Sequence, residues 1–210
     1  MLSRYKYLII RQTLSNKGEK SVGKLIVITG LDASGKDTVA AALQGLDPGS
    51  YLVKTPTDPF IPARSEMDAL AMQHPWMHYY FYLASIYHAS SIISKLLKNG
   101  GNVYCVRYLL DTVCYHRGLG LPVHLNYTKG IRRPDLTIFL AINDEGVRQQ
   151  RLGSRGRSVG DEVTDNDHVR QRILEAYRQY KSEYILVDNT FKTVPQVVEE
   201  IRYIIEGLSK

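Results

Sequence analysis

The stretch Gly30-Leu31-Asp32-Ala33-Ser34-Gly35-Lys36-Asp37-Thr38 constrains this chain more than any other. It follows an apolar, β-branched run, Leu25-Ile26-Val27-Ile28-Thr29, and leads into the alanine-rich segment Val39-Ala40-Ala41-Ala42-Leu43. Strand, glycine loop and helix in that order make an anion cradle. Gly30 and Gly35 let the backbone curl until successive N–H groups from Gly30 through Ala33, Ser34, Gly35, Asp37 and Thr38 face one phosphate. The helix start adds the positive end of its dipole, and Lys36 a mobile charge for the transferring phosphate. The residue after such a lysine is normally Ser or Thr, whose hydroxyl ligates Mg²⁺. Here it is Asp37, with Thr38 one step later. A carboxylate is a good hard ligand for Mg²⁺, but it places negative charge beside a polyphosphate.

A chain of 210 residues, 44% hydrophobic and 23% charged, suits one α/β domain with a real core. The net charge of +6 favours anionic partners. The bases are scattered and lack interleaved aromatics, so phosphorylated small molecules fit better than nucleic acid. No apolar run reaches membrane-spanning length, so a membrane partner is not expected. Cys105 and Cys114 read as small buried hydrophobes in a reducing compartment. Residues 1–23 are basic and carry no acid before Glu19. That segment reads as an extra strand or loose arm, with an organelle transit peptide as the alternative to a cytoplasmic protein.

After the first loop, the helix is expected to run to about Leu46 and stop at Asp47-Pro48-Gly49. Tyr51 to Val53 reads as a second strand, followed by Lys54-Thr55-Pro56 and an irregular loop to Pro62 that walls the crevice. A long helix is predicted from His78 to Leu97, with Leu83, Ile86, Ser90, Ile93 and Leu97 as its apolar stripe. Phe81, Ser85 and His88 share a different face, and periodicity alone makes Phe81 a core residue. Asn102 to Val106 is a buried strand that delivers Arg107 to the ligand crevice. A helix follows over Asp111 to His116, then a strand over Leu136 to Ala141. The helix from Glu145 puts Arg148, Arg151 and Arg155 on one face. It breaks into a flexible basic loop, Gly153 to Gly160, either a lid over polyphosphate or a solvated loop. A helix over Asp167 to Tyr180, a strand over Tyr184 to Asp188 and a helix from about Val194 complete one domain, residues 24–210. The fold class is α/β, a parallel five-stranded sheet of the P-loop type flanked by helices, with a short lid.

From Lys24 nearly to the C-terminus, these residues resemble the thymidylate kinase family of nucleoside-monophosphate kinases. The glycine loop looks like the family's loop, including Asp32, which the resemblance places near the acceptor phosphate, sugar and metal. Phe81 falls where the family stacks a phenylalanine on thymine, making it a base platform. Val106-Arg107-Tyr108 aligns with an Asp-Arg-Tyr whose arginine holds the acceptor phosphate, and Tyr115 with a tyrosine near the deoxyribose. Pro134 to Leu140 resembles the strand before the lid, and Arg155-Gly156-Arg157 the lid that carries the catalytic arginine.

The resemblance therefore implies Mg·ATP-dependent conversion of dTMP to dTDP in nucleotide biosynthesis, by a homodimer paired through the helix from His78. Lys36, Arg107 and Arg155 or Arg157 would carry the chemistry, Lys54 would assist with the acceptor phosphate, and Asp37 or Asp32 would hold the metal. Three departures stand out. Val106 replaces the strand-end aspartate, Asp37 replaces the loop hydroxyl, and Ser85 replaces an arginine that reads the thymine edge. Serine presents no guanidinium fork, which opens the site to another nucleotide, a nucleoside or another phosphorylated metabolite. Asp37 and Val106 together also admit a weakly active nucleotide-binding regulatory module.

Overall fold

The structure, a computed structural model, describes residues 22–156 and 159–207. Residues 1–21 of the expected extension, and Arg157, lie outside the described residues. Five strands, β1 (Leu25–Thr29), β2 (Tyr51–Lys54), β3 (Val103–Val106), β4 (Leu136–Ala141) and β5 (Ile185–Asp188), form one parallel sheet in the order β2-β3-β1-β4-β5. Strand β1 is central and buried along its whole length. Leu25 and Val27 pack on one face with Ile86, Ile93 and Val103. Ile26 and Ile28 pack on the other with Val39, Leu43, Ile138 and Val197. Both faces need apolar cover, so the run shows no polar alternation. Each such side chain contributes roughly 1.5–3 kcal/mol by leaving water.

Helices α1 (Lys36–Gly45) and α8 (Val194–Gly207) cover one face; α3 (Pro75–Lys98) and α4 (Leu109–Gly118) cover the other. Helix α7 (Asp167–Gln179) lies against α4 at close range. A Cβ on Gly118 would fall 2.2 Å from Cγ1 of Ile173, so the approach requires a glycine there. Helices α2 (Arg64–Ala69), α5 (Glu145–Arg155) and α6 (Val159–Asp165) border the crevice. Among the described residues no helix is long and apolar enough to cross a membrane.

Helix α3 starts three residues before the predicted His78, because Pro75 is preorganised for the first helical position. Of its predicted stripe, Ile86, Ser90, Ile93 and Leu97 are buried and Leu83 is half-buried. Helix α4 likewise opens at Leu109, where the Tyr108 backbone N–H donates to the Asp111 carboxylate at 2.9 Å. The loop after β2 does not stay irregular: a 3₁₀ turn, Ile61–Ala63, runs directly into α2, which the sequence reading does not anticipate. Six residues are too few for a helical period to show. The expected flexible basic loop is also corrected. Ser154 and Arg155 continue α5, Gly156 turns with φ +80°, and α6 begins at Val159.

Candidate active site

A cavity of about 820 Å³ opens over the carboxyl ends of β1, β2 and β3. Its floor is the glycine loop. Gly30 (φ +142°), Ala33 (φ +67°) and Gly35 (φ +82°) bend the chain so that α1 starts at Lys36. A Cβ on Gly30 would meet the Leu140 carbonyl at 2.5 Å, so that position admits only glycine. The loop is held from β5's end, where Asn189 donates its side-chain amide to the Ser34 carbonyl at 2.6 Å. Lys36 is 3% exposed; its ammonium donates to the Leu31 carbonyl at 2.8 Å and lies 3.9 Å from Asp32. Such a cradle, with a buried lysine curled back on its own loop, fits the polyphosphate of a nucleotide.

Burial pushes the Lys36 ammonium down to about 8, Arg107 pushes it the same way, and Asp32 pulls against both. A bound polyphosphate favours the charged form and raises it again. Nucleotide binding at about pH 9 is therefore expected to take up a proton, and affinity to fall as pH rises through 8. Titration calorimetry in two buffers of different ionisation enthalpy reads the uptake directly. Equal heats in both would exclude Lys36 as the group that meets the phosphates.

Strand β3 ends in Arg107, a non-glycine residue with φ +63°. A left-handed conformation there costs of order 1–3 kcal/mol and turns the guanidinium from the sheet into the cavity. Arg107 pairs with Asp32, whose other oxygen accepts from the Thr164 hydroxyl at 3.3 Å. Although burial opposes it, Arg107 and Lys36 hold the Asp32 carboxyl well below the usual carboxylate range. Asp32 thus stands between two cations, and both its oxygens are engaged.

Asp37, the other metal candidate, is half-exposed and pairs through Oδ1 with Lys54 at 2.9 Å. Among the described residues no three His, Cys, Asp or Glu side chains cluster as a metal site. Asp37 lines the cavity together with Thr38, and its carboxylate is shared only with the half-exposed Lys54 among the ion pairs of the described residues. One protein carboxylate supplemented by phosphate oxygens and water is a donor set that suits Mg²⁺. The residues present fit the ion at Asp37 rather than at Asp32.

The three arginines expected on one face of α5 have separate surroundings. Arg148 is 1% exposed and binds Glu145 and Asp165, a structural role. Arg151 donates to the carbonyls of Asn189 and Thr190 at 2.9 and 3.1 Å, tying the lid helix to the end of β5. Arg155 is half-exposed, lines the cavity and pairs with the buried Asp161.

The other end of the cavity differs from the sequence expectation. Phe81 and Ser85 do not line it. Phe81 packs edge-on against Phe60 with ring centroids 5.5 Å apart, and the buried Ser85 hydroxyl donates to the Tyr82 carbonyl at 2.8 Å. Helix α3 instead turns His78 and Tyr82 to the cavity, a pair with the same four-residue spacing set three residues earlier. Asp68 and Arg64 of α2 face them, with Thr112, Tyr115 and His116 of α4 alongside. Sequence reasoning missed all of these except Tyr115, and it also missed Asp111. That buried carboxylate lines the cavity and accepts from the hydroxyls of Thr29 and Tyr177 at 2.6 and 3.2 Å. The signal that could have found His78, Tyr82 and His116 was an i, i+4 pair of polar rings on one helix with a histidine on the next.

The family described as Thymidylate kinase matches residues 28–201. A curated relative from Methanococcus aeolicus described as a probable thymidylate kinase is 27% identical over 192 residues, covering 86% of this chain and 94% of that protein. Among solved structures, a thymidylate kinase from Candida albicans is similar with a TM-score of 0.69 and 24% identity, covering 88% of this chain and 92% of that one. A deoxyadenosine kinase from M. mycoides with bound dATP is similar with a TM-score of 0.63 and 19% identity, covering 86% and 98%. At those identities the two structures carry the fold alone.

Proposed function

Because this chain belongs to the thymidylate kinase family of nucleoside-monophosphate kinases, we propose that it moves the γ-phosphoryl group of Mg·ATP onto a nucleoside monophosphate. The observation that carries this reading is the buried Asp32, bracketed by Lys36 in the glycine loop and Arg107 at the end of β3. Two cationic groups that meet at one carboxylate oxygen, Oδ1, suit two phosphate groups brought together for in-line transfer. The backbone N–H groups from Gly30 to Thr38 hold the donor β-phosphate, and Lys36 reaches the γ-phosphate. Arg107 binds the acceptor phosphate, giving up part of its contact with Asp32, and Lys54 assists from the β2 end. Arg155 meets the charge that develops on the moving phosphoryl group.

Asp37, with phosphate oxygens and water, would hold Mg²⁺, which would neutralise part of the polyphosphate charge. Phosphoryl transfer requires positioning and electrostatic stabilisation more than a strong base. Val106 in place of a carboxylate therefore leaves the chemistry supported. Trp76, Tyr80 and Tyr87 form an exposed stripe on α3, the helix through which the resemblance pairs a homodimer.

The test is ADP formation from Mg·ATP across a panel of nucleoside monophosphates, dTMP included because the resemblance implies it. Product with at least one monophosphate, and no turnover with the bare nucleosides, is the expected result. Tight ATP binding with no product on any acceptor would replace the kinase with a nucleotide-binding module.

A further inference from the structure

The end of the cavity away from the glycine loop is organised on one carboxylate. Asp68 sits near the end of α2, its side chain 11% exposed. Its Oδ1 accepts from the Tyr82 hydroxyl at 2.7 Å and lies 3.2 Å from Nε2 of His78. Its Oδ2 accepts from Nε of Arg64 at 3.3 Å. Burial disfavours the charge, and the hydrogen bonds from His78 and Tyr82 overcome it, so the carboxyl lies below its ordinary range. Tyr115 lines the same cavity, its ring centroid 5.6 Å from that of His78.

The proton positions follow from what each partner can do. His116 Nδ1 is 2.6 Å from the Thr112 carbonyl, which only accepts, so Nδ1 carries the hydrogen. Burial pushes the His116 ring down to about 3, so it is neutral and its Nε2 accepts. His78 Nδ1, 2.8 Å away, must therefore donate to it. His78 Nε2 lies 3.2 Å from the Asp68 carboxylate. Both ring nitrogens of His78 and of His116 thus have partners within the protein, and so has the Tyr82 hydrogen. What this end offers a ligand is lone pairs, on Asp68 and on Tyr82 Oη. The terminal nitrogens of Arg64 stand beside them as donors at the rim, the Arg64 side chain being 43% exposed.

We infer that Asp68, held by Arg64, His78 and Tyr82, reads the acceptor's base, and that it selects a base with an exocyclic amino group beside a bare ring nitrogen, as in cytosine and adenine. The inference rests on the kinase reading above and names the substrate class of that site. The amino group's two hydrogens match Asp68 and Tyr82 Oη, and the ring nitrogen next to it matches Arg64. Thymine and uracil present a carbonyl at the amino position, oxygen against oxygen. Their own ring N–H lies between two carbonyls, so bringing it to Asp68 drives one of them toward the Tyr82 oxygen. A site built to hydrogen-bond one polar group rejects the analogue that lacks it, because its buried acceptors are left unpaired.

Two acceptor pairs isolate the contact: dCMP against dUMP, and dAMP against dIMP, each pair exchanging an amino for an oxo group at one carbon. With wild-type protein and Mg·ATP, kcat/KM is expected to favour the amino member by about 10²-fold or more in at least one pair. Asp68→Asn keeps the shape and can donate as well as accept, so the preference should fall below tenfold while the protein stays folded. A wild-type preference below tenfold in both pairs, or for the oxo member, overturns the inference, as does an Asn variant that keeps the preference. Calorimetric binding of the four monophosphates gives the same ratio without turnover. If neither these four nor any other monophosphate of the panel is phosphorylated, the kinase reading fails while the amino-group reading is still decided by binding.

Discussion

Arg107→Ala is expected to raise the KM for the acceptor monophosphate by about 10²–10³-fold, leaving the ATP KM within a few-fold. Truncating one partner of a desolvated charge pair costs about 2–5 kcal/mol, and every 1.4 kcal/mol is a factor of ten. Two effects combine at this position. The acceptor phosphate loses a planar, two-pronged donor that lysine cannot reproduce, so Arg107→Lys should recover only a minor part of the loss. Asp32 also loses the strongest of its cations and is left with Lys36 at 3.9 Å and the Thr164 hydroxyl. Its carboxyl then rises toward the ordinary range. Initial rates at saturating ATP with varied acceptor check this. An unchanged acceptor KM would take the acceptor phosphate away from Arg107.

Arg155→Ala is expected to lower kcat by about 10³-fold with little change in either KM, the size seen where a phosphoryl-stabilising arginine is removed. Arg151 and Arg155 of α5 both line the cavity, but Arg151 is spent on two backbone carbonyls and Arg148 is buried in ion pairs, which leaves the half-exposed Arg155. Its partner, Asp161, is buried, so the ground state keeps the guanidinium parked at the lid until a stronger anion competes. An interaction realised only as charge develops raises kcat without tightening substrate binding. Single-turnover rates of the variant separate chemistry from release. A loss under tenfold would give the developing charge to another group.

Much of the fold was legible because its causes are local or depend on a simple period. Leu25 to Thr29 reads as a buried parallel strand because an apolar run closed by a glycine loop has few other solutions. All five strands and the ends of α1 follow from such runs and from turn residues. The bends at Gly30 and Gly35 were legible because a missing Cβ is visible in a sequence. The short α2 was not, since it has neither a period nor a cap that distinguishes it from loop. The lid segment was read as loop, although helix runs through Arg155 and again from Val159, because glycine and arginine composition says nothing about what covers them. Helix α6 packs against α7 and α2, and those contacts are non-local.

From the residues alone came the phosphate cradle, the parallel sheet and the family likeness, since each depends on neighbours within a few positions along the chain. Tertiary structure alone decided which side of α3 lines the cavity: a three-residue slip turns a side chain by about 60° and moves it roughly 4.5 Å along the axis. That much rotation exchanges Phe81 and Ser85 for His78 and Tyr82, and periodicity, which gives a helix its stripe, does not say which neighbour the stripe beside it faces. The separate fates of Arg148, Arg151 and Arg155 were decided in the same way, by where Asp165, the end of β5 and the cavity happen to lie around one helix.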